Sequence, residues 1–156
     1  MSAYRRILVP IDGSPTSNRG LTEAIRLAQD QGAALRLVHV LDEFIVAPGA
    51  ETVVYLNNTV DLLREAGEQI LASAKSLVRE AGLEAQTVVI EIMGGRAADS
   101  IVAEAKAWGA DLIVLGTHGR RGVGRLVMGS DAEEVVRTAR VPVLLVRSDA
   151  ESRASP

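Results

Sequence analysis

The chain has 156 residues, of which 47% are hydrophobic, and its formal net charge is −3. This length and composition suit one domain with a sizeable core and exclude a disordered chain. The absence of cysteine excludes disulfide bonds and thiolate metal sites, and the mild acidity, with only 3% aromatic residues, argues against a nucleic-acid-binding surface.

Membrane insertion and secretion are not expected. No stretch has the apolar length of about 20 residues that a membrane-spanning helix requires. The apolar run at residues 7–9 is also shorter than the central region of a secretory signal. We therefore expect a cytoplasmic protein.

Short apolar runs alternate along the chain with amphipathic stretches of helical periodicity. Five of these runs predict strands, at residues 6–11, 34–40, 84–92, 112–115 and 143–146. Continuous apolar strands separated by helices are typical of a parallel sheet covered on both faces. We predict a single doubly wound α/β domain with a five-stranded parallel sheet, spanning residues 1–148, and a frayed tail at residues 149–156.

Four helices are expected between these strands. The first follows a turn at residues 12–15 and ends before Gly32. The second follows an irregular connection at residues 42–57 and runs to about Glu80, and the fourth spans about 130–139. Helical spacing predicts that the apolar face of the second helix comprises Val60, Leu63, Ile70, Ala74, Leu77 and Val78.

Ligands of such sheets bind beyond the carboxyl ends of the strands, where the strand order reverses. The first and fourth strands would flank that crevice, and glycine-containing turns follow both of them. Asp12 is either a nucleotide or Mg²⁺ contact or only a turn-forming residue ahead of Gly13. His39, inside the second strand, is interpreted as a packed or hydrogen-bonded structural residue.

The glycine-rich segment 116–130 is the most informative part of the chain. Gly116 and Gly119 allow main-chain amides to approach a phosphate without a Cβ atom in the way. Gly129 and Ser130 open the next helix, whose first amides are unpaired and favour an anion. Ser130 is expected either to cap this helix or to donate its hydroxyl to a phosphate oxygen.

Two better-known phosphate motifs do not fit this segment. The glycine spacing of a P-loop is present, but Arg125 and Leu126 stand where Lys and Ser or Thr are required. A dinucleotide fingerprint fails because Val127 occupies the position of its third glycine. The segment is therefore neither of these motifs.

The spacing Gly116-x2-Gly119-x9-Gly129-Ser130 is similar to the nucleotide-binding signature of ATP-binding universal stress proteins. Three further segments resemble the opening strand and turn, the fourth strand and the closing strand of that family. They are residues 4–14, 111–116 and 141–146. The resemblance covers nearly the whole chain.

The resemblance implies a Rossmann-like sheet of the adenine nucleotide alpha hydrolase type, in strand order 3-2-1-4-5. It implies ATP, or ADP or AMP, across the ends of the first and fourth strands. If Asp12 is a metal contact, it would hold Mg²⁺ through this nucleotide. It also implies a homodimer through the last strand, residues Val143, Leu144, Leu145 and Val146. The residues expected to line the nucleotide are Pro10, Ile11, Asp12, Val40, Leu115, Gly116, His118, Gly119, Gly129 and Ser130.

Three neighbouring residues are added as candidates. Arg120 belongs with Arg121 and Arg125 to the basic cluster of the chain, from which at least one side chain is expected near the γ-phosphate. Met128 is expected to pack against the nucleotide or beneath the loop. Asp131 stands where family members more often have a small or apolar residue, and its carboxylate suits the helix dipole but repels phosphate if it turns inward.

Together with these residues, the resemblance implies a regulatory or stress-response protein that binds ATP without rapid catalysis. No base, nucleophile and orienting group stand together in the pattern, so no catalytic residue is expected. Two alternatives stay open. One is a slow Mg²⁺-dependent ATPase or phosphotransferase that uses Asp12 as its metal contact, and the other is a dimeric interaction module with an empty pocket.

Overall fold

The computed structural model describes residues 2–43, 53–117 and 129–147, without the side chains of residues 53–58. The elements in chain order are β1 (Arg6–Pro10), α1 (Pro15–Gln31), β2 (Ala34–Asp42), α2 (Val53–Glu80), β3 (Ala85–Ile92), α3 (Ala97–Trp108), β4 (Leu112–Gly116), α4 (Ser130–Thr138) and β5 (Val143–Val146). All the predicted strands are present, with ends close to the predicted ones. Within the described part of the chain, no helix is long and apolar enough to cross a membrane.

The five strands form one parallel sheet in the order β3-β2-β1-β4-β5. This confirms the predicted fold class and strand order. Alternate residues of the central strands point to opposite faces of the sheet. Ile7 and Val9 pack under α1 and α2 on one face, and Leu8 and Ile113 pack under α3 and α4 on the other.

Local sequence signals fix both ends of α1. The Ser14 hydroxyl caps the helix by accepting a hydrogen bond from the Ser17 N–H at 3.1 Å, and Pro15 follows in the first turn, where its missing N–H has no helical partner to lose. Gly32 ends the helix in the left-handed conformation, with φ of 66°, and its N–H bonds to the Ala28 carbonyl. These caps set where the chain leaves β1 and where it enters β2.

Two expectations about α2 are wrong. The helix begins at Val53, so residues 53–57 belong to α2 and not to an irregular connection. Leu77, predicted to lie on the apolar face, is 44% exposed. The face of α2 that packs against the sheet is formed by Leu71, Ala74 and Val78, which are spaced three and four residues apart, and Leu77 lies beside this face.

Candidate functional site

The two central strands separate toward their carboxyl ends. The β1–β4 pairing joins only Ile7 with Leu112 and Leu8 with Ile113, whereas β1 pairs with β2 along its whole length. The chain crosses from β3 back to β4 on the other side of β1, so the strand order reverses at this gap. The crevice predicted from the sequence therefore lies between the ends of β1 and β4.

Pro10 fits this separation. The Arg5 carbonyl accepts the Ala34 N–H and the Arg6 carbonyl accepts the Asp111 N–H, each at 2.9 Å. Even-numbered residues of β1 therefore direct their main-chain groups toward β4, because these groups alternate along a strand. The N–H that Pro10 lacks would point into the gap, so proline at this central strand removes no ladder hydrogen bond.

Asp12 shapes the turn between β1 and α1. Its carboxylate Oδ1 accepts the Ser14 N–H at 2.8 Å, and its own N–H donates to the Ser17 hydroxyl at 3.1 Å. The first contact is an Asx turn, so the turn-forming role of Asp12 is confirmed. A contact with a nucleotide or Mg²⁺ stays a prediction; within the described ranges, no group of three or more His, Cys, Asp or Glu side chains is arranged to hold a metal.

Ile11 and His39 join the ends of β1 and β2. The Ile11 N–H donates to the Val38 carbonyl at 2.7 Å. The His39 ring, only 8% exposed, places Nδ1 at 2.8 Å from the Ile11 carbonyl oxygen. The structural interpretation of His39 is thereby confirmed. Val40, a predicted contact, lies two residues beyond the last residue of β2 that pairs with β1.

Gly116, at the end of β4, is required by packing. A Cβ atom there would lie 2.7 Å from both the carbonyl carbon and the oxygen of Thr16, at the start of α1. Gly20 lies one helical turn after Thr16 and also approaches Gly116. A Cβ atom added at Gly20 would lie 3.3 Å from the Gly116 nitrogen. The sequence indicated an approach of phosphate at Gly116, but not this approach of helix to strand.

The start of α4 is fastened to the end of β4. The Gly129 N–H donates to the Thr117 carbonyl at 2.6 Å, and the Thr117 N–H donates to the Val146 carbonyl at 3.1 Å. Gly129 is the N-cap of α4, and no side chain of the described residues caps this helix. The expectation that Ser130 caps α4 is wrong, because Ser130 is its first helical residue. The first amides of α4 therefore keep their capacity to bind an anion.

An ion-pair network joins α3 and α4 beside this edge. The Glu134 carboxylate lies 2.8 Å from Nη1 of Arg96, the residue that precedes α3, and it also pairs with Arg137. The hydrogen bond from Arg137 holds the pKa of Glu134 below its ordinary value, with Arg96 adding to the effect. Glu134 thus links the residue before α3 to the middle of α4 through a surface ion pair, which adds little to stability.

The predicted residues fall into two groups. Those that the structure describes all lie at the carboxyl ends of β1, β2 and β4 or at the start of α4; they are Pro10, Ile11, Asp12, Val40, Leu115, Gly116, Gly129, Ser130 and Asp131. Asp131 is exposed in the first turn of α4. His118, Gly119, Arg120 and Met128 lie outside the described residues, as do Arg121, Arg125 and the predicted tail.

Comparison with known sequences identifies relatives along almost the whole chain. Residues 3–147 match the sequence model of the universal stress protein family. The chain is 34% identical over 146 residues to a universal stress protein of Methanocaldococcus jannaschii, with 92% of this chain and 82% of the relative covered. It is 35% identical over 150 residues to the universal stress protein YxiE of Bacillus subtilis, with 92% and 99% covered.

Solved structures of universal stress proteins share the fold. UspA from Lactobacillus plantarum superposes with a TM-score of 0.80 at 26% identity, with 94% of this chain and 100% of that chain covered. A universal stress protein from Archaeoglobus fulgidus, solved in complex with dAMP, gives 0.68 at 26% identity, with 92% and 98% covered. Another universal stress protein, solved in complex with cAMP, gives 0.65 at 25% identity, with 93% and 98% covered.

Proposed function

The chain belongs to the universal stress protein family, and we propose that it binds an adenine nucleotide in the crevice between the ends of β1 and β4, as a regulatory or stress-response factor. One observation carries the proposal. Among the described residues, no side chain caps the start of α4, and this start is hydrogen-bonded to the end of β4, beside the point where β1 and β4 separate. Relatives that bind dAMP and cAMP support it.

The start of α4 provides the phosphate end of this site. Main-chain N–H groups in the first turn of a helix lack helical partners and sit at the positive end of its dipole. A phosphate oxygen is a suitable acceptor for them, and the Ser130 hydroxyl adds a further donor. Gly129 leaves the approach to these amides free of a side chain.

ATP in particular is proposed from the sequence of the intervening segment. Gly119 and the arginines at positions 120, 121 and 125 would serve the phosphates beyond the first, and His118 and Met128 would border them. Asp12 would hold Mg²⁺ through the nucleotide, using the carboxylate whose Oδ1 already accepts the Ser14 N–H. The bound ion would neutralise phosphate charge.

Calorimetry tests this function. Purified protein titrated with ATP and Mg²⁺ is expected to bind with a micromolar-class dissociation constant, about 8 kcal/mol of binding free energy. The matched titration with GTP separates base recognition from phosphate binding. Absence of both binding heat and a thermal shift at millimolar ATP would contradict the proposal.

We also propose a homodimer that pairs β5 with its own copy. β5 is an edge strand, and Leu144 at its centre is 38% exposed. An exposed apolar edge with unpaired main-chain groups favours pairing with another chain, and a two-fold axis would place the two copies antiparallel. Pairing would cover Leu144 and satisfy the edge.

Leu144→Lys is expected to convert the dimer into a folded monomer, because the exposed position accepts a charge in the isolated subunit but not in a covered interface. Sedimentation velocity measures the change, with Leu62→Lys, at a 64% exposed position on α2, as the control that should stay dimeric. A wild-type protein that sediments as a monomer at micromolar concentration would exclude this dimer.

A further inference from the structure

β2 extends beyond the end of β1. The register of the two strands ends with Pro10 opposite Val38, and from there β2 continues to Asp42 while paired with β3, where Val40 lies opposite Ile90. The last residues of β2 therefore pass the turn after β1 with one edge directed toward the crevice.

The main-chain groups of Val40 point toward that edge. The Ala34 N–H donates to the Arg5 carbonyl, and the Val38 carbonyl accepts the Ile11 N–H. The main-chain N–H and C=O groups of even-numbered residues in β2 are therefore directed toward β1. Val40 follows the same alternation. In an uninterrupted parallel ladder, its N–H would donate to the Ile11 carbonyl. Among the described residues no such main-chain bond is formed, and the β1–β2 pairing ends before it.

His39 takes the place of that bond. Its Nδ1 lies 2.8 Å from the Ile11 carbonyl oxygen, in a buried position. A carbonyl oxygen only accepts hydrogen bonds, so Nδ1 carries the hydrogen. The ring thus satisfies the Ile11 carbonyl in place of the Val40 N–H.

Gly67 of α2 provides the space for the ring. A Cβ atom at Gly67 would lie 2.6 Å from Cδ2 and 3.0 Å from Nε2 of His39. Any side chain there would push the imidazole away from its present place. The position of the ring therefore depends on a residue of a different element, 28 positions along the chain from His39.

We propose that His39 is a positioning residue for base recognition: by occupying the Ile11 carbonyl, it leaves the N–H and C=O of Val40 as a donor and acceptor pair that reads adenine. This inference rests on the proposed function. The N1 atom of adenine accepts a hydrogen bond and its N6 amino group donates one, which complements the two groups of Val40. Hypoxanthine presents a donor at N1 and an acceptor at O6, so the same pair rejects it.

Titration of variants with ATP and inosine triphosphate tests the inference. Wild-type protein is expected to prefer ATP by about tenfold or more, since mismatched polar groups are left unpaired with inosine. In His39→Leu the Val40 N–H is free to close onto Ile11. The affinity for ATP should then fall about tenfold while the affinity for inosine triphosphate hardly changes, which removes the preference.

Three further variants separate positioning from packing. His39→Asn keeps a donor near the place of Nδ1 and should restore most of the preference for ATP. Gly67→Ala displaces the ring and should reduce the preference as His39→Leu does. Val89→Ala removes packing beside His39, its partner in the strand register, and should leave the preference unchanged.

A folded His39→Leu protein with the wild-type ratio of affinities would overturn the inference, as would equal losses for both nucleotides. Because His39→Leu can fail to fold, the wild-type protein gives an independent measurement: ATP should shift the Val40 amide proton resonance downfield, and inosine triphosphate should not. ATP binding without this shift overturns the inference alone, whereas absence of ATP binding overturns the proposed function together with it.

Discussion

Gly116→Ala is expected to lower the free energy of unfolding by about 2–3 kcal/mol. The new methyl group would stand 2.7 Å from the Thr16 carbonyl carbon and oxygen and 2.8 Å from its Cγ2. Main-chain atoms at the start of α1 cannot turn aside as a flexible side chain can, so the helix must move away from β4. Urea denaturation followed by circular dichroism measures the loss.

Gly20→Ala is the matched control, because it adds the same methyl group to the other side of this contact. Its Cβ would meet the Gly116 nitrogen at 3.3 Å and the Leu115 carbonyl carbon at 3.4 Å, distances that small shifts can relieve. Alanine also gains about 1 kcal/mol over glycine inside a helix, so this variant should stay close to wild type. A Gly116→Ala protein as stable as Gly20→Ala would show that the contact between α1 and β4 has room for the added methyl group.

Gly129→Ser is expected to weaken ATP binding by about tenfold while leaving α4 as stable as before or slightly more stable. Gly129 has φ of −56° and ψ of 147°, a conformation open to any residue, so no strain arises. Serine is a favoured N-cap, and its hydroxyl would bond to the first-turn amides that we assign to phosphate. Affinity and stability should therefore change independently, and calorimetry with thermal denaturation measures both.

Gly129→Ala distinguishes the reasons for a loss of affinity. Alanine adds bulk without a capping hydroxyl, so wild-type affinity in this variant would assign the loss in Gly129→Ser to competition for the amides. Weak binding by both variants would mean that the phosphate needs the space itself. If both variants bind ATP within about twofold of wild type, a shift of only about 0.4 kcal/mol, the start of α4 is not the phosphate site.

The fold was predictable because its signals are local. Apolar runs in the sequence indicate β1 to β5, and Ser14, Pro15 and Gly32 mark the ends of α1. The second helix was harder to delimit. Residues 53–57 were predicted to belong to an irregular connection, but α2 already includes them, since local sequence preference only weakly determines where a helix begins.

The candidate site was predictable in its location but not in its construction. The turn after β1 and the glycines after β4 pointed to the crevice, and the described candidates do lie at that edge. The contacts of Gly116 with Thr16, and of His39 with Ile11 and Gly67, join segments distant in sequence. Residue types and their spacing along the chain do not show which distant segments come into contact, so these contacts are known only from the three-dimensional structure.

The most direct test of nucleotide binding at this edge is a map of amide chemical shifts during titration of isotope-labelled protein with ATP and Mg²⁺. We expect the largest changes at Asp12, Val40 and Ser130, which lie on three different segments around the crevice. Arg36 and Trp108, toward the amino ends of the strands, should hardly change. Shifts that cluster around Arg36 and Trp108 instead, or saturating ATP that leaves Ser130 and its neighbours unchanged, would contradict nucleotide binding at the crevice.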